Sequence, residues 1–442
     1  MNEHFDILVV GAGPAGIAAA VSASASGKRV GMVDDNPAPG GQIWRSGTPA
    51  GAEARKWLAR LDTSSVFRLQ GWRVIDHPKH GTLRVESDQD CRDLCYEKLI
   101  LATGARERFL PFPGWTVPNV MGAGGLDAMV RGGLPIAGKR VVVGGTGPLL
   151  LAVAAHLARR GAKIVAVCEQ APLRRFVPFA AYLLREPAKL LQGIDYLTAT
   201  RGTRFYTGCW PIASRGKEKL ESVSLQQSGK NWEVRCDYLA CGYHLVPNLE
   251  LAALVGCRIE DGFVATDDML QTSVAGVFCA GEPTSIGGVE LALLEGKIAG
   301  LAAAVGTAAA EKLVSHRRRR LRFVHALRSA TALDPQLRKL ATETTLVCRC
   351  EDVSYGALRK HVSWRDAKLQ TRCGMGPCQG RICGAATEFL FGWDSALVES
   401  NIRPPIFPAM VSSLGIPDDN QACPGDQNMV ADTSTGTPKE TR

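Results

Sequence analysis

Apolar and polar positions along the chain fall into a repeated strand, turn and helix pattern. Phe5 to Val10 is a short apolar run rich in β-formers, followed by Gly11-Ala12-Gly13-Pro14-Ala15-Gly16 and the Ala-rich stretch Ile17 to Ser26. A second strand, Arg29 to Val33, ends in Asp34. The pattern returns at Arg140 to Val143, with Gly145-Thr146-Gly147-Pro148-Leu149-Leu150, a helix to about Arg160, and a strand from Lys163 to Val167 ending near Glu169. Such units predict an α/β fold with two dinucleotide-binding modules. Segment 171–200, with Leu173, Leu183, Leu184, Leu190 and Leu191, reads as helices without evident chemistry. The most apolar stretch, Val141 to Ala158, is broken by glycines and Pro148, so no membrane span is expected.

In the first module Gly11 lets the chain turn, Gly13 lets the backbone approach a pyrophosphate, and Gly16 lets the helix pack on the strand. Pro14 and Ala15 complete a loop whose phosphates sit at the helix N-terminus, where free N–H groups favour anions. Asp34 can accept hydrogen bonds from a ribose. The fingerprint alone does not separate nicotinamide from flavin; three downstream segments favour flavin. These are Pro39-Gly40-Gly41-Gln42, Leu99 to Leu101 running into Ala102-Thr103-Gly104, and Thr272 leading to Ala280-Gly281-Glu282. Here the chain resembles the two-dinucleotide-binding-domain flavoproteins. That resemblance implies FAD contacts at Gly41, Gln42, Thr103, Gly104 and Gly281, with Glu282 on the ribityl chain. Gly287-Gly288 then open a helix through Gly300 whose dipole would stabilise negative charge on a reduced flavin.

The second module is inserted within the first. Gly145, Gly147 and Glu169 are its candidate nucleotide residues, but Leu150 replaces the third glycine. An occupied site (NAD or ATP) and a retained empty scaffold carry equal weight. The expected domains are 1–125 with 265–325 for FAD, 126–264 for the insert, 340–400 for a small cysteine domain, and 401–442 for an extension disordered from about 418.

Composition adds the third element. The 442 residues are 45% hydrophobic and 21% charged, with a net charge of +9, which marks an ordinary globular chain. Fourteen cysteines are present, and the start MNEHFDILVV carries no secretory leader, so the expected location is the cytoplasm. Cys348, Cys350, Cys373, Cys378 and Cys383 cluster within residues 348–383, and in a reducing compartment such a cluster points to metal or redox chemistry. Thiolates converging on a Gly-rich loop suit an iron–sulfur cluster. Four-thiolate zinc is the rival, and a neighbouring flavin favours iron because zinc is redox-silent. Cys91 and Cys95 have the wrong spacing for a disulfide reductase and read as unpaired thiols. Cys423 reads as a free thiol in the tail.

The order of motifs, including Pro111 to Trp115, Cys241 to Asn248 and the cysteine region, resembles the FAD/iron–sulfur subunit of bacterial opine oxidases, hydrogen cyanide synthase and D-hydroxyproline dehydrogenase. The cysteine region is similar to bacterioferritin-associated-ferredoxin (BFD-like) [2Fe-2S] domains, which makes the third domain small and α-rich. Comparison with related anaerobic glycerol-3-phosphate dehydrogenases implies ligation by Cys348, Cys350, Cys378 and Cys383, with Cys373 in reserve. His244 stands where the family leads one to expect glycine. The resemblance implies an electron-handling subunit with no catalytic base of its own. Its partner would be an amine-oxidase-like flavoprotein chain, with room for a small additional subunit, for FMN at the subunit interface, and for a quinone acceptor at the membrane's inner face. The alternatives are a stand-alone NAD(P)H-dependent reductase and a non-catalytic redox sensor. The basic run His316 to Arg322 reads as a solvated helix face or, more sharply, as a docking patch; nucleic-acid binding is not expected, because aromatic residues near it are sparse.

Overall fold

The computed structural model describes residues 3–44, 51–184, 186–393 and 402–415. The first unit comprises β1 (Glu3–Val10), α1 (Pro14–Ser24), β2 (Val30–Asp34), α2 (Gly41–Trp44), α3 (Ala52–Asp62), β3 (Phe67–Gln70), β4 (Arg73–Lys79), β5 (Thr82–Glu86) and β6 (Cys91–Leu101). Its strands are ordered β3-β2-β1-β6-β5-β4. β1 runs parallel to β2 and β6, which sets Val10 beside Val33 and Leu101. β2 is buried at every position, as a strand covered on both faces must be.

The chain then builds β7 (Ala105–Glu107), β8 (Val120–Gly122), α4 (Ala123–Arg131), β9 (Arg140–Thr146), α5 (Pro148–Arg159), β10 (Lys163–Glu169), α6 (Phe176–Leu183), α7 (Pro187–Ala199) and β11 (Arg204–Thr207). Antiparallel β12 (Cys209–Arg215), β13 (Ser222–Gln227) and β14 (Lys230–Arg235) follow, then β15 (Tyr238–Tyr243) and β16 (Leu245–Pro247). The inserted parallel sheet is ordered β11-β10-β9-β15-β8. Because β8 belongs to it, the crossing into the insert lies before Val120 rather than at 125. The return also comes earlier than 265, since Leu249, Leu251 and Val255 pack in the first unit's core. Both crossings run side by side as the antiparallel pair β7 and β16.

After α8 (Glu250–Leu254), β17 (Ile259–Glu260) and β18 (Phe263–Val264), β19 (Val277–Cys279) joins the first sheet beside Leu99 to Leu101 of β6. α9 (Gly288–Val305) then packs on α1 almost backbone to backbone: a Cβ at Gly296 would lie 2.1 Å from the Ala15 carbonyl oxygen. α10 (Thr307–Ala330) leads to the cysteine domain, made of β20 (Leu346–Cys348), β21 (Val353–Ser354), α11 (Tyr355–Leu358), α12 (Trp364–Thr371) and α13 (Cys383–Phe391). Its own small core gathers Val347, Leu358, Trp364 and Leu390. Residues 402–415 return to the first unit, where the Ile406 N–H donates to the Ile75 carbonyl at 2.9 Å. The expected tail disorder and Cys423 lie outside the described residues. Among those residues no helix is long and apolar enough to cross a membrane.

Candidate cofactor cradles and cysteine nest

The first cradle is assembled from both ends of the chain. Gly16 sits so tightly on the turn that a Cβ there would lie 1.8 Å from the Gly11 carbonyl oxygen. α1 opens at Pro14 with no side-chain cap, so its free N–H groups remain for an anion. Asp34 accepts from the Ala12 N–H at 2.5 Å and the Asn36 N–H at 2.8 Å, which fixes the acid at the loop. Gly41 closes over the same loop: its Cβ would lie 2.8 Å from the Gly13 Cα, and Gln42 follows it in α2. Gly281 has φ +84, and a Cβ there would meet the Ala15 side chain at 2.8 Å, so the late turn abuts α1. Glu282 is therefore delivered to the cradle. Burial pushes its carboxyl up to about 7, and among the described residues it has no hydrogen-bond partner. A ribityl hydroxyl would supply the missing partner, so these residues fit FAD.

A pair that the sequence reading missed supports this turn. Glu295, fully buried on α9, accepts from the Gly281 N–H (2.9 Å) and the Thr284 hydroxyl (2.6 Å) on one oxygen. Its other oxygen accepts from Arg317 Nε at 2.8 Å. Arg317 belongs to the basic run, so that run is not simply a solvated face. Arg318 pairs with Asp268, and Arg320 with Glu186 and Glu290. The run lies along α10, and acidic side chains from elements packed against that helix meet three of its arginines.

The second cradle repeats the plan with a different ending. Glu169 accepts from the Gly147 N–H (2.7 Å), the Thr146 hydroxyl (2.6 Å) and the Ala171 N–H (2.8 Å), and burial raises its carboxyl. Gly145 holds the turn at φ +140. Across these strand ends runs the segment Thr331 to Asp334. Its Thr331 carbonyl lies 3.2 Å from the Thr146 hydroxyl, and the Ala332 carbonyl accepts from Gln170 Nε2 (3.2 Å) and Arg175 Nη1 (2.7 Å). The Asp334 N–H donates to Gln170 Oε1 at 2.9 Å. His244 keeps the left-handed backbone that glycine would favour, φ +68, and its Nε2 lies 2.7 Å from the Thr331 carbonyl. The departure from glycine thus adds a tether to the crossing segment.

In the cysteine domain Cys348, Cys373 and Cys383 bring their sulfurs within 4.8 Å of one another. Cys378 hydrogen-bonds Cys383 and Cys350, so the five thiols form one group, a buried triangle of Cys348, Cys373 and Cys383 extended through Cys378 to exposed Cys350. A Cβ at Gly376 would lie 2.3 Å from the Cys350 Cβ, so the glycine loop needs its bare backbone here. Hydrogen bonds from the Cys373 and Cys383 thiols, then from the Gly374 and Glu351 N–H groups, hold the Cys348 thiol near 2. Cys378 is lowered to about 5, chiefly by Cys383 and the Ile382 N–H. An all-sulfur set surrounded by N–H donors fits an iron–sulfur cluster, as it would zinc. Elsewhere Cys91 is a free thiol, while Cys95 is disulfide-bonded rather than unpaired.

A polar bridge joins the two chemistries. Thr103 donates to the Asn248 carbonyl at 2.7 Å, and Asn248 returns a bond from its side chain to the Thr103 carbonyl (2.8 Å). The Asn248 N–H meets the Gly104 carbonyl at 3.0 Å. Arg106 donates to Asn248 Oδ1 (2.7 Å), to Glu250 (2.9 Å) and to the Arg381 carbonyl (2.9 Å). The Arg381 N–H in turn donates to the Cys378 carbonyl at 3.0 Å. The sequence had offered Asn248 only as part of a motif, and Arg106 and Arg381 not as site residues at all.

Residues 5–308 match the pyridine nucleotide-disulphide oxidoreductase family. The chain is 32% identical to an opine oxidase subunit of Rhizobium meliloti (strain 1021), over 93% of this chain and 98% of that protein. It is 28% identical to hydrogen cyanide synthase subunit HcnB of Pseudomonas protegens, over 85% of this chain and 89% of that one. Among solved structures, L-proline dehydrogenase from P. horikoshii superposes with a TM-score of 0.64 at 19% identity, covering 94% of this chain and 80% of that one. Thioredoxin reductase from T. acidophilum gives 0.54 at 21% identity, covering 69% and 98%. At such identities the structures speak to the fold alone.

Proposed function

We propose, for a chain that belongs to the pyridine nucleotide-disulphide oxidoreductase family and is an FAD-dependent oxidoreductase, that it is the electron-relaying subunit of a heteromeric dehydrogenase acting on a carbon–nitrogen bond. The observation that carries this reading is the bridge Thr103–Asn248–Arg106–Arg381, which ties the flavin loop to the cysteine loop. Bound FAD would accept an electron pair and release it singly, and a [2Fe-2S] cluster would pass single electrons on. The Gly11–Gly16 loop and the α1 N-terminus hold the pyrophosphate, Asp34 the ribose and Glu282 the ribityl chain. The α9 N-terminus faces negative charge on the ring. Cys348, Cys350, Cys378 and Cys383 hold the cluster, with Cys373, which shares the buried triangle of Cys348 and Cys383, as the reserve ligand. The companion chain, an amine-oxidase-like flavoprotein in a relay of this kind, removes hydride from the carbon bearing the substrate nitrogen, and water hydrolyses the resulting imine. A quinone is the acceptor that suits release of single electrons.

The stand-alone NAD(P)H reductase has in its favour the intact Gly145, Gly147 and Glu169 loop. Against it stands the Thr331 to Asp334 segment across the strand ends where a nicotinamide nucleotide would lie. The test is to purify the chain with its companion anaerobically, assay iron, sulfide and FAD, and compare flavin bleaching by candidate amino acids with bleaching by NADH. Bleaching by NADH in the isolated chain at the rate of amine turnover, or zinc in place of iron and sulfide, would overturn the relay.

A further inference from the structure

The outward face of α6 and α7 is, we propose, the docking surface for the companion chain, which would present an apolar patch edged with carboxylates; the inference rests on the heteromeric reading above. On α7, Leu190, Leu191, Ile194 and Leu197 recur at the spacing of one helical face, and all are exposed. Val177 on α6 and Leu184 just past its end, 69% and 74% exposed, with exposed Leu173 ahead of it, add further apolar surface in the same segment. No described residue of either helix is buried. Amphipathic helices ordinarily turn such a stripe inward, and a contiguous exposed one marks an interaction site.

Charge decides the occupant. The acids of this segment are already engaged, Glu186 with Arg320 and Asp195 with Arg159, each at 2.7 Å. Lys189 pairs with Glu290 at 2.8 Å. Exposed Arg174, Arg201 and Arg204 flank the two helices and have no ion pair among the described residues. The charge left unanswered is therefore positive. A second copy would set arginine against arginine with no free carboxylate between them. An anionic bilayer would meet Asp195 beside Ile194, and the segment has no Trp to anchor at a lipid interface. A different polypeptide with acidic residues around an apolar centre answers both the stripe and the arginines.

The double variant Leu191→Glu/Ile194→Glu tests the proposal, because both side chains are exposed and FAD content and melting temperature should stay at wild-type values. The assembly is purified from source cells through tagged full-length chain, wild type or variant, and compared with isolated chain by hydrogen–deuterium exchange. The expected result is protection of peptides across 173–199 in the wild-type assembly and companion binding weakened about 100-fold in the variant. Unchanged assembly of the variant, with protection elsewhere, overturns the docking face while leaving the heteromer intact. A wild-type chain that never carries a companion overturns the heteromeric reading itself. An isolated wild-type dimer that the variant dissociates assigns the face to a second copy, and variant-sensitive flotation with phosphatidylglycerol/phosphatidylcholine vesicles assigns it to lipid; either result overturns the proposal. Should the variant misfold, the exchange pattern of the wild-type assembly decides alone.

Discussion

The two dinucleotide-binding units begin alike and end differently. Each opens a helix with proline at its first turn, Pro14 or Pro148. Each ends its second strand in an acid that accepts from its own glycine loop, Asp34 from Ala12 and Glu169 from Gly147. Into the first crevice comes the Gly281–Glu282 turn with an unpartnered carboxyl. Across the second lies a stretch of the chain's own backbone, and the third glycine has become Leu150, packed in the core. The local unit thus makes a nucleotide site available, and whatever a distant segment brings to the strand ends decides its use.

The largest expected effect strikes the support of the first crevice. Replacing Arg317 by Met would leave the fully buried Glu295 carboxyl without its cation, at a cost of about 3–5 kcal/mol for a broken buried pair. Thermal melting should drop accordingly, and the FAD that remains should show an altered visible spectrum, because the Gly281 turn loses its fixed acceptor. A variant with wild-type melting and spectrum would show that the pair does not hold the turn.

A second pair of substitutions contrasts the units directly. Gly13→Val places a branched side chain where a pyrophosphate must approach, and FAD affinity should fall by about two orders of magnitude. Gly147→Asn sits at the equivalent position of the insert, where φ is +89 and a Cβ meets nothing within 4 Å. With ψ 175 that backbone strains any side chain by about 1–3 kcal/mol, so melting should drop modestly, but the FAD content of the folded protein should be unchanged. Equal loss of flavin from both variants, measured by absorbance after gel filtration, would erase the functional difference between the units.

How far these differences were legible in the sequence follows from their range. Both strand–turn–helix units are local, and alternation and glycine spacing exposed them. Glu282 became readable only through the order of motifs, since a strand-end acid alone is often a cap. Glu295 with Arg317, the Asn248–Arg106–Arg381 bridge and the Thr331 to Asp334 crossing join residues 22 to 275 positions apart. No periodicity marks such pairs. The arginine run concealed one of them, because a run of like charge looks solvated until the acidic residues packed against its helix are known.

The crossing segment itself gives the next prediction. Gln170 is fully buried and clamps Ala332 and Asp334, and its Nε2 also donates to the Thr146 hydroxyl of the glycine loop at 3.0 Å, so Gln170→Ala should loosen the segment while the Gly147 N–H bond to Glu169 stays in place. Flavin bleaching by NADH, slow in the wild type, should accelerate about tenfold, a change equivalent to ~1.4 kcal/mol of lost closure. Stopped-flow absorbance reads it. No change in rate would mean that the segment does not bar the second crevice.

The smallest effect concerns the tether at the same place. Burial holds the His244 pKa down at about 4, and the hydrogen bond to Thr331 only partly opposes that shift. In the unfolded chain a histidine titrates near ~6.5. Between these values the unfolded state binds a proton that the folded state refuses, so stability falls as pH is lowered from about 6.5 toward 4 and is level above that window. The residual exposure of the ring tempers the loss to the order of 1 kcal/mol. His244→Asn removes the titration while keeping a side chain suited to φ +68. Melting temperatures at pH 7 and pH 4.5 should therefore converge more closely in the variant than in the wild type. Parallel losses in the two proteins would show that His244 is not the group whose burial resists protonation, and that the crossing segment is held chiefly by Gln170 and Arg175.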